Sequence, residues 1–206
     1  MKDEQFPRKN LAAWFLYDFG MASFSMVIIT AFFVFYFKQV VVGKGDPRGD
    51  FYWGVSTSVA CGLVALLSPI LGAVADYAGL KRRFFIFFAG LAILCTFALN
   101  LVGPGMLAVA MLVFILGYLG YTAAQPFYNG FLSEVAPRER WPRVSGIGWG
   151  LGYLGGLTAL LCVRPFLKDA VAGGASAHIV FTFTGLFYLA CALPAFLLLK
   201  DRLAPA

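Results

Sequence analysis

Six long apolar segments, separated by short charged ones, most strongly constrain what this chain can fold into. A helix needs about 20 consecutive apolar residues to cross the roughly 30 Å hydrocarbon core of a bilayer. A soluble domain of 206 residues could not bury this much apolar side chain, since 61% of the chain is hydrophobic and only 13% is charged. We therefore predict an all-α membrane protein, with residues 1–206 as a single domain. Its six transmembrane helices are expected at residues 11–37, 52–75, 84–102, 106–133, 145–167 and 177–199.

The basic residues fall mainly on one side of these predicted spans. The two termini and the loops after the second and fourth spans hold eleven of the 16 lysines and arginines, and the other loops hold five. Because cytoplasmic loops carry the excess of Lys and Arg, we expect both termini in the cytoplasm and the protein in the cytoplasmic (inner) membrane. The net charge of +6 follows from this topology. The sequence has no basic stripe with interleaved aromatic residues, so we predict no nucleic-acid partner.

A glycine, an aspartate and a basic cluster follow one another at the end of the second span. The segment reads Gly72-Ala-Val-Ala-Asp76-Tyr-Ala-Gly79-Leu-Lys81-Arg82-Arg83. We expect Gly72 to let a neighbouring helix approach closely and Gly79 to supply a tight turn. Asp76, at a helix end, is expected to face the positive N-terminus of another helix.

This segment resembles the signature that joins helices 2 and 3 in the major facilitator superfamily. In that superfamily the signature acts as a conformational latch between the two halves of a transporter. We expect Glu134, at the end of the fourth span, to take part in the latch. Arg143 is its candidate partner, with a solvated Arg143 as the alternative. The residues to which we assign a latch role are Gly72, Asp76, Gly79, Lys81, Arg82 and Glu134.

Three further stretches, residues 14–24, 128–140 and 143–156, resemble the UMF1 family, which is related to the vacuolar amino-acid exporters of the Atg22 type. That resemblance implies a twelve-helix transporter of small solutes, with amino-acid efflux in some members. This chain matches the first six helices only. The implied fold is a half bundle made of two inverted three-helix units.

Asp18 lies inside the first predicted span, about seven residues and therefore about 10 Å from its start. A carboxylate at that depth is costly and is usually functional. No Lys or Arg lies in the middle of a predicted span to pair with it. Our hypothesis is that Asp18 binds a coupling proton or a cationic group of the solute. The alternative is a structural hydrogen bond to a neighbouring helix.

The fourth span carries a polar stripe. Its members are Tyr118, Thr122, Gln125 and Asn129, which share one helix face because they are spaced i, i+4, i+7 and i+11. We expect this stripe to line a central cavity, since helices 1 and 4 do so in the superfamily. Hydrogen bonding between helices, without solute contact, is the alternative.

The fifth span combines glycines with two aromatic residues. Gly148, Gly152 and Gly156 recur at intervals of four, which predicts a face for close helix packing. Trp149 and Tyr153, also four apart, are expected to add aromatic walls to the solute site.

The sequence contains no Ser/His/Asp arrangement, metal-ligand cluster or phosphate loop, so we predict no enzyme activity, cofactor or metal site. The predicted function is that of a half-size secondary transporter of a small solute, with proton coupling as a hypothesis. Two copies would form a homodimer about an axis normal to the membrane and work by alternating access. Asp76 would then latch against the fifth helix of the partner. The alternatives are a different six-helix partner, the N-terminal half of a truncated transporter, and a membrane scaffold that transports nothing.

Overall fold

The computed structural model of the chain describes residues 6–76 and 80–201, and it gives side chains for all of these except 74–76. Six helices within this part are long and apolar enough to cross a membrane, and no strand occurs there. The prediction of an all-α protein with six transmembrane helices is confirmed. The helices are α1 (Arg8–Gly43), α2 (Arg48–Asp76), α3 (Lys81–Leu101), α4 (Leu107–Val135), α5 (Arg138–Val171) and α6 (Ser176–Leu198).

The bundle has two ends, which we name by their connections. The terminal end holds the start of α1, the end of α6, and the α2–α3 and α4–α5 connections. The far end holds the other three connections. Helix α1 is central: it packs on α5 and α6, while α4 packs on α3 and α2. The core is therefore built around α1, and its fully buried side chains include Tyr17, Phe24, Ile28, Phe32, Phe33 and Phe37.

Glycines allow the closest helix crossings. A Cβ on Gly120 of α4 would lie 2.7 Å from the carbonyl oxygen of Phe88 and 2.8 Å from the amide nitrogen of Ala92, both on α3. Real Cβ contacts are not that short, so α3 and α4 can pack at this distance only because position 120 carries no side chain. The backbones of these two helices are thereby held together along the side of the bundle away from α5.

Helix α1 is not a regular α-helix along its whole length. It is π-helical over Phe24–Ala31 and again over Phe37–Gly43. In the first of these segments the hydroxyl of Thr30 donates to the carbonyl oxygen of Ser25 at 2.9 Å. Wide π turns are frequent at functional sites. This one begins directly beside the cavity described below.

The α1–α2 connection at the far end is closed by short ionic contacts. The guanidinium and backbone N–H of Arg48 donate to the carboxylate of Asp46, with the shortest distance 2.8 Å. These hydrogen bonds hold the pKa of Asp46 down at about 2. Lys38 of α1 also pairs with Asp50 of α2. The start of α2 is therefore tied to the end of α1.

Candidate functional site

The carboxyl group of Asp18 lies in the contact between α1 and α5, and the residue is only 7% exposed. A Cβ on Gly148 would lie 3.3 Å from its Oδ2, and one on Gly152 would lie 3.5 Å from its Cγ and Oδ2. The two glycines therefore leave the space that the carboxyl group occupies. Helix α1 supplies the polar group, and α5 supplies the room for it.

No hydrogen bond or ion pair joins the Asp18 carboxyl to any other residue in the described part of the chain. Burying a charged group without a partner is expensive. The structural hydrogen bond that we considered as the alternative is not formed among residues 6–76 and 80–201. The carboxyl group is thus available to a proton or to a ligand that enters from the cavity.

A cavity of about 330 Å³ opens in front of Asp18, between α1, α4 and α5. Small-molecule sites in proteins have volumes of roughly 300–1,000 Å³. The structure brings five of the seven residues predicted for solute or proton binding to the walls of this cavity. They are Asp18, Gln125, Asn129, Trp149 and Tyr153.

Tyr118 and Thr122 are the two that do not line the cavity. The hydroxyl of Tyr118 lies 3.6 Å from Sγ of Cys61 on α2. The four stripe residues do share one face of α4, but Tyr118 lies seven residues, or about 10 Å, farther along the helix axis than Gln125. At that depth Tyr118 contacts α2 and not the cavity, and Thr122 is also absent from the cavity walls.

Trp14 and Tyr128 form one wall of the cavity, and neither was among the site residues predicted from the sequence. The indole Nε1–H of Trp14 donates to the carbonyl oxygen of Tyr128 at 3.2 Å, and the hydroxyl of Tyr128 donates back to the carbonyl oxygen of Trp14 at 3.1 Å. Their rings stack with centroids 4.6 Å apart. This reciprocal pair fixes α1 against α4 next to Asp18.

Other lining residues were also missed, although their spacing gave a signal. On α1 they continue the face of Asp18 at i+3, i+4, i+7 and i+8, and on α4 they flank Gln125 at i−4 and i+3. A search for the face that contains the buried carboxylate would have found them. They are Met21, Ala22, Ser25, Met26, Tyr121 and Tyr128, with Ser145 from α5.

The glycine row of α5 packs on α1. A Cβ on Gly148 would lie 2.7 Å from the ring of Trp14, and one on Gly156 would lie 3.1 Å from the carbonyl oxygen of Ala22. The tightest point is Gly155, which was not among the predicted packing residues. A Cβ there would overlap the backbone of Phe19.

At the terminal end, Lys81 of α3 pairs with Glu134 of α4 at 2.8 Å. The same ammonium group donates to the carbonyl oxygen of Gly130 at 3.2 Å and lies 5.3 Å from the ring centre of Phe131. We had named Arg143 as the candidate partner of Glu134. That pairing was wrong: Lys81 takes the position, and Arg143 is exposed.

The remaining predicted latch residues differ in their surroundings. Arg82 donates to the carbonyl oxygen of Phe196 at 2.7 Å, and its backbone N–H donates to Asp201, so it binds the end of α6. A Cβ on Gly72 would meet nothing within 4 Å among the described residues, so no described helix makes the expected close approach there. Helix α2 continues to Asp76, whose side chain is not described, and Gly79 lies outside the described residues.

One side of the cavity is open. Trp149 and Tyr153 are 66% and 67% exposed, and their ring centres lie 6.3 Å apart at its edge. Polar groups exposed to hydrocarbon are costly. A site that contains a carboxyl group and two amides therefore needs a cover other than lipid.

The arrangement is suited to binding a small polar molecule inside a membrane. Among the described residues, no group of three or more His, Cys, Asp and Glu side chains lies close enough to hold a metal ion. The cavity offers one carboxyl group, amides, hydroxyls and aromatic faces. These are binding groups, and none forms a nucleophile–base pair.

Comparison with known proteins gives one family. The profile of the Major Facilitator Superfamily matches residues 3–160. The chain is 33% identical to an uncharacterized MFS-type transporter, YxiO, of Bacillus subtilis (strain 168) over 149 residues, which is 71% of this chain and 35% of that protein. It is 26% identical to an uncharacterized protein of Aquifex aeolicus (strain VF5) over 197 residues, which is 95% of this chain and 47% of that protein.

The chain thus spans less than half the length of either of these relatives. No solved structure matches it. The family profile covers more than half of the chain, and its six-helix bundle is the architecture expected for one half of such a protein. The chain is an integral, multi-pass membrane protein of the major facilitator superfamily.

Proposed function

We propose that this chain supplies one six-helix half of a secondary transporter, and that a small solute crosses the membrane along the cavity between α1, α4 and α5. One observation carries the proposal: a cavity of about 330 Å³ holds the carboxyl group of Asp18, which no other described residue pairs with. Carboxyl groups inside a membrane domain usually mark a solute or ion pathway. Membership of a transporter superfamily supports the same conclusion.

The chemistry of the cavity favours a solute with a cationic group, or a proton, at Asp18. Gln125 and Asn129 offer amide donors and acceptors to the rest of the solute. Trp149 and Tyr153 offer aromatic faces, which attract cations within about 6 Å of the ring centre. No Lys or Arg occurs among the described residues that line the cavity, so it suits an anionic solute poorly.

The test begins with the purified protein. We expect a screen of amino acids, sugars and amines to find amines or zwitterionic amino acids that raise the temperature of thermal unfolding, because a ligand that binds only the folded state stabilises it. The stabilising compound then serves as the transported probe in proteoliposomes, with and without a pH gradient. If no class of compound stabilises the protein, the scaffold alternative is favoured.

Asp18→Asn is the decisive variant. It keeps the shape of the side chain and removes its charge, so we expect the rate of coupled transport to fall at least about tenfold while the unfolding temperature is maintained. Asp50→Asn is the matched control, because Asp50 lies at the far end and, among the described residues, pairs only with Lys38. Unchanged transport by Asp18→Asn would contradict the proposed role.

We propose that the second half of the transporter is another copy of this chain. The exposed edge formed by Trp149 and Tyr153 supports a cover of this kind. Paired halves of the superfamily have the same orientation in the membrane, so a two-fold axis normal to the bilayer can relate two copies. A different six-helix protein, or further helices of a longer chain, would cover the same edge and are the alternatives.

The finer classification rests on the sequence motifs. We propose that the chain is UMF1-like, related to the Atg22 type, because the stretches 14–24, 128–140 and 143–156 carry that resemblance. We also propose that the terminal end is cytoplasmic and that the membrane is the inner membrane, because eleven of the 16 lysines and arginines fall in the two terminal segments of the sequence and in the loops after the second and fourth spans. A C-terminal reporter that is active only in the cytoplasm checks this orientation.

The latch is proposed to include both halves. Lys81, Arg82 and Glu134 tie α3, α4 and α6 together within one half. Gly72 has open space around it, which leaves room for the fifth helix of the partner. Asp76 would then face the N-terminus of that helix, where a negative charge is stabilised.

A further inference from the structure

The solute cavity contains one carboxyl group and no basic side chain among its described lining residues. Asp18 supplies the carboxyl group, and none of the other described residues in the walls is Lys, Arg or His. Helix α4, which forms one wall, has neither Lys nor Arg along its whole length. A bound solute therefore meets an acid but no base from this wall.

The nearest basic residues on the other two wall helices lie on faces that turn away from the cavity. Lys9 lies nine residues before Asp18 on α1. Arg143 likewise lies nine residues before Gly152 on α5. Both intervals are regular α-helix, in which nine residues make two and a half turns and a rise of about 13 Å. Each basic residue is therefore on the opposite face of its helix, where it is exposed, and supplies no positive charge to the cavity.

The missing base distinguishes two kinds of solute that carry an ammonium group. In an α-amino acid the ammonium and the carboxylate are bonded to the same carbon atom, so an ammonium on Asp18 brings the two carboxylates close together. Carboxylates that share a site repel each other. Proteins offset such repulsion with Arg or Lys, which form charge-assisted hydrogen bonds to the carboxylate. Without such a residue, an amine that has no carboxylate fits this cavity better than an amino acid does.

The surroundings of Asp18 also favour an apolar substituent on the solute. Gly148 and Gly152 leave the room for its carboxyl group. Trp149 and Tyr153 follow these glycines by one residue each, and one residue is a rise of about 1.5 Å, so the two aromatic residues lie at nearly the depth of the carboxyl group. Aromatic rings attract ammonium groups and pack against apolar groups. Two methionines of α1 add flexible apolar side chains to the walls.

We propose that the solute of this cavity is an organic cation, namely an amine with an apolar substituent and without a carboxylate. This rests on the proposed function, because it treats the cavity as the solute site, and it narrows the solute to one chemical class. The single positive charge of an amine is balanced by Asp18. Its apolar part lies against Trp149 and Tyr153, whose side chains are mostly exposed at the cavity edge.

The experiment uses three probes that share one ring. Phenethylamine carries only the ammonium group, phenylalanine adds the carboxylate, and 2-phenylethanol has a neutral hydroxyl in place of the ammonium group. Each is added at the same concentration to the purified protein in detergent, and the unfolding temperature is measured. We expect phenethylamine to raise this temperature more than either other probe does, by about 3 °C or more, because a ligand that binds the folded state stabilises it.

This comparison needs no variant, and its outcomes separate the two proposals. If phenylalanine stabilises the protein as strongly as phenethylamine, the amine class is overturned, while the proposed transport of a solute with an ammonium group stands. If 2-phenylethanol stabilises it as strongly, the positive charge is not recognised, and the proposed role of Asp18 falls as well.

Two variants assign the effect to the carboxyl group. Asp18→Asn keeps the shape of the side chain and loses its charge, so the advantage of phenethylamine over 2-phenylethanol should disappear. Partition of the probes into micelles is the same for both proteins and cancels in this comparison. Thr158→Val is the matched control on α5, because Thr158 does not line the cavity and its hydroxyl donates to the carbonyl oxygen of Leu154 at 2.7 Å; it should retain the advantage. An advantage that persists in Asp18→Asn would contradict the proposal.

Discussion

At the scale of single residues, the polar groups of the site differ in whether they have hydrogen-bond partners within the protein. The polar atoms of Trp14 and Tyr128 satisfy each other across two helices. The Asp18 carboxyl, a few ångströms away, has no such partner among the described residues. A buried polar group usually has its hydrogen bonds satisfied. The contrast separates the groups that build the wall of the cavity from the one that is left for a ligand.

We predict that Tyr128→Phe lowers stability, because it removes the hydroxyl that donates to the carbonyl oxygen of Trp14 but keeps the stacked ring. The loss should be about 1 kcal/mol, the usual net contribution of a hydrogen bond, and is measured by thermal or denaturant unfolding in detergent. Tyr153→Phe is the matched control, since its hydroxyl makes no hydrogen bond to the described residues and its ring is mostly exposed. Equal stability of the two variants would show that the hydrogen bond from the Tyr128 hydroxyl to Trp14 contributes nothing.

At the scale of elements, the spacing between α1 and α5 is set by glycines. Gly148 and Gly152 leave space for a ring and a carboxyl group, while Gly155 and Gly156 allow backbone to approach backbone. Interfaces between membrane helices are enriched in small residues for this reason. The glycines of α5 therefore serve both the packing of α1 on α5 and the formation of the site.

We predict opposite outcomes for two Gly→Ala changes on α5. In Gly155→Ala the new methyl group would overlap the backbone of Phe19, so α1 has to move and stability should fall by about 1–3 kcal/mol. In Gly146→Ala the methyl group meets nothing within 4 Å, so the better helix propensity of alanine should raise stability by up to about 1 kcal/mol. Unfolding temperatures in the same detergent measure both. If Gly155→Ala is as stable as Gly146→Ala, then the crossing of α1 and α5 is looser than described.

The sequence predicted elements better than the contacts between them. Hydropathy alone located six spans, because length and apolarity are local properties. Asp18 and Gln125 were recognised because polar groups stand out in an apolar span. Tyr118 was misassigned because helical periodicity gives the angle of a side chain but not the depth at which a neighbouring helix covers it. The Trp14–Tyr128 pair, 114 residues apart in sequence, follows from the packing of α1 on α4, which no local pattern encodes.

At the scale of the whole molecule, the main feature is a polar cavity with an open side in a bundle that lies in lipid. The start of α1 and the end of α6 lie at the same end of the bundle, where the backbone N–H of Arg82 donates to Asp201 at 3.0 Å. Two copies in parallel orientation can therefore be joined end to end without an additional span. That geometry allows a direct test of the proposed homodimer.

We predict that native-lipid particles contain two copies of the chain, and that a tandem fusion of two copies by a flexible linker transports the probe as well as the separate chains do. Masses from native mass spectrometry and transport in proteoliposomes measure the two outcomes. A fusion with Asp18→Asn in both copies is the inactive control. A monodisperse monomer that still transports would contradict the homodimer.

The absence of side chains at Gly148 and Gly152 has a consequence for how the site responds to its surroundings. The space for the Asp18 carboxyl lies between two helices, α1 and α5, and is not enclosed by either helix alone. Anything that tilts α5 against α1 changes its width directly, whether bilayer thickness, detergent or the contact with a second half. Ligand binding at Asp18 should therefore depend on the angle between α1 and α5. The composition of the surrounding membrane then affects the affinity of the site.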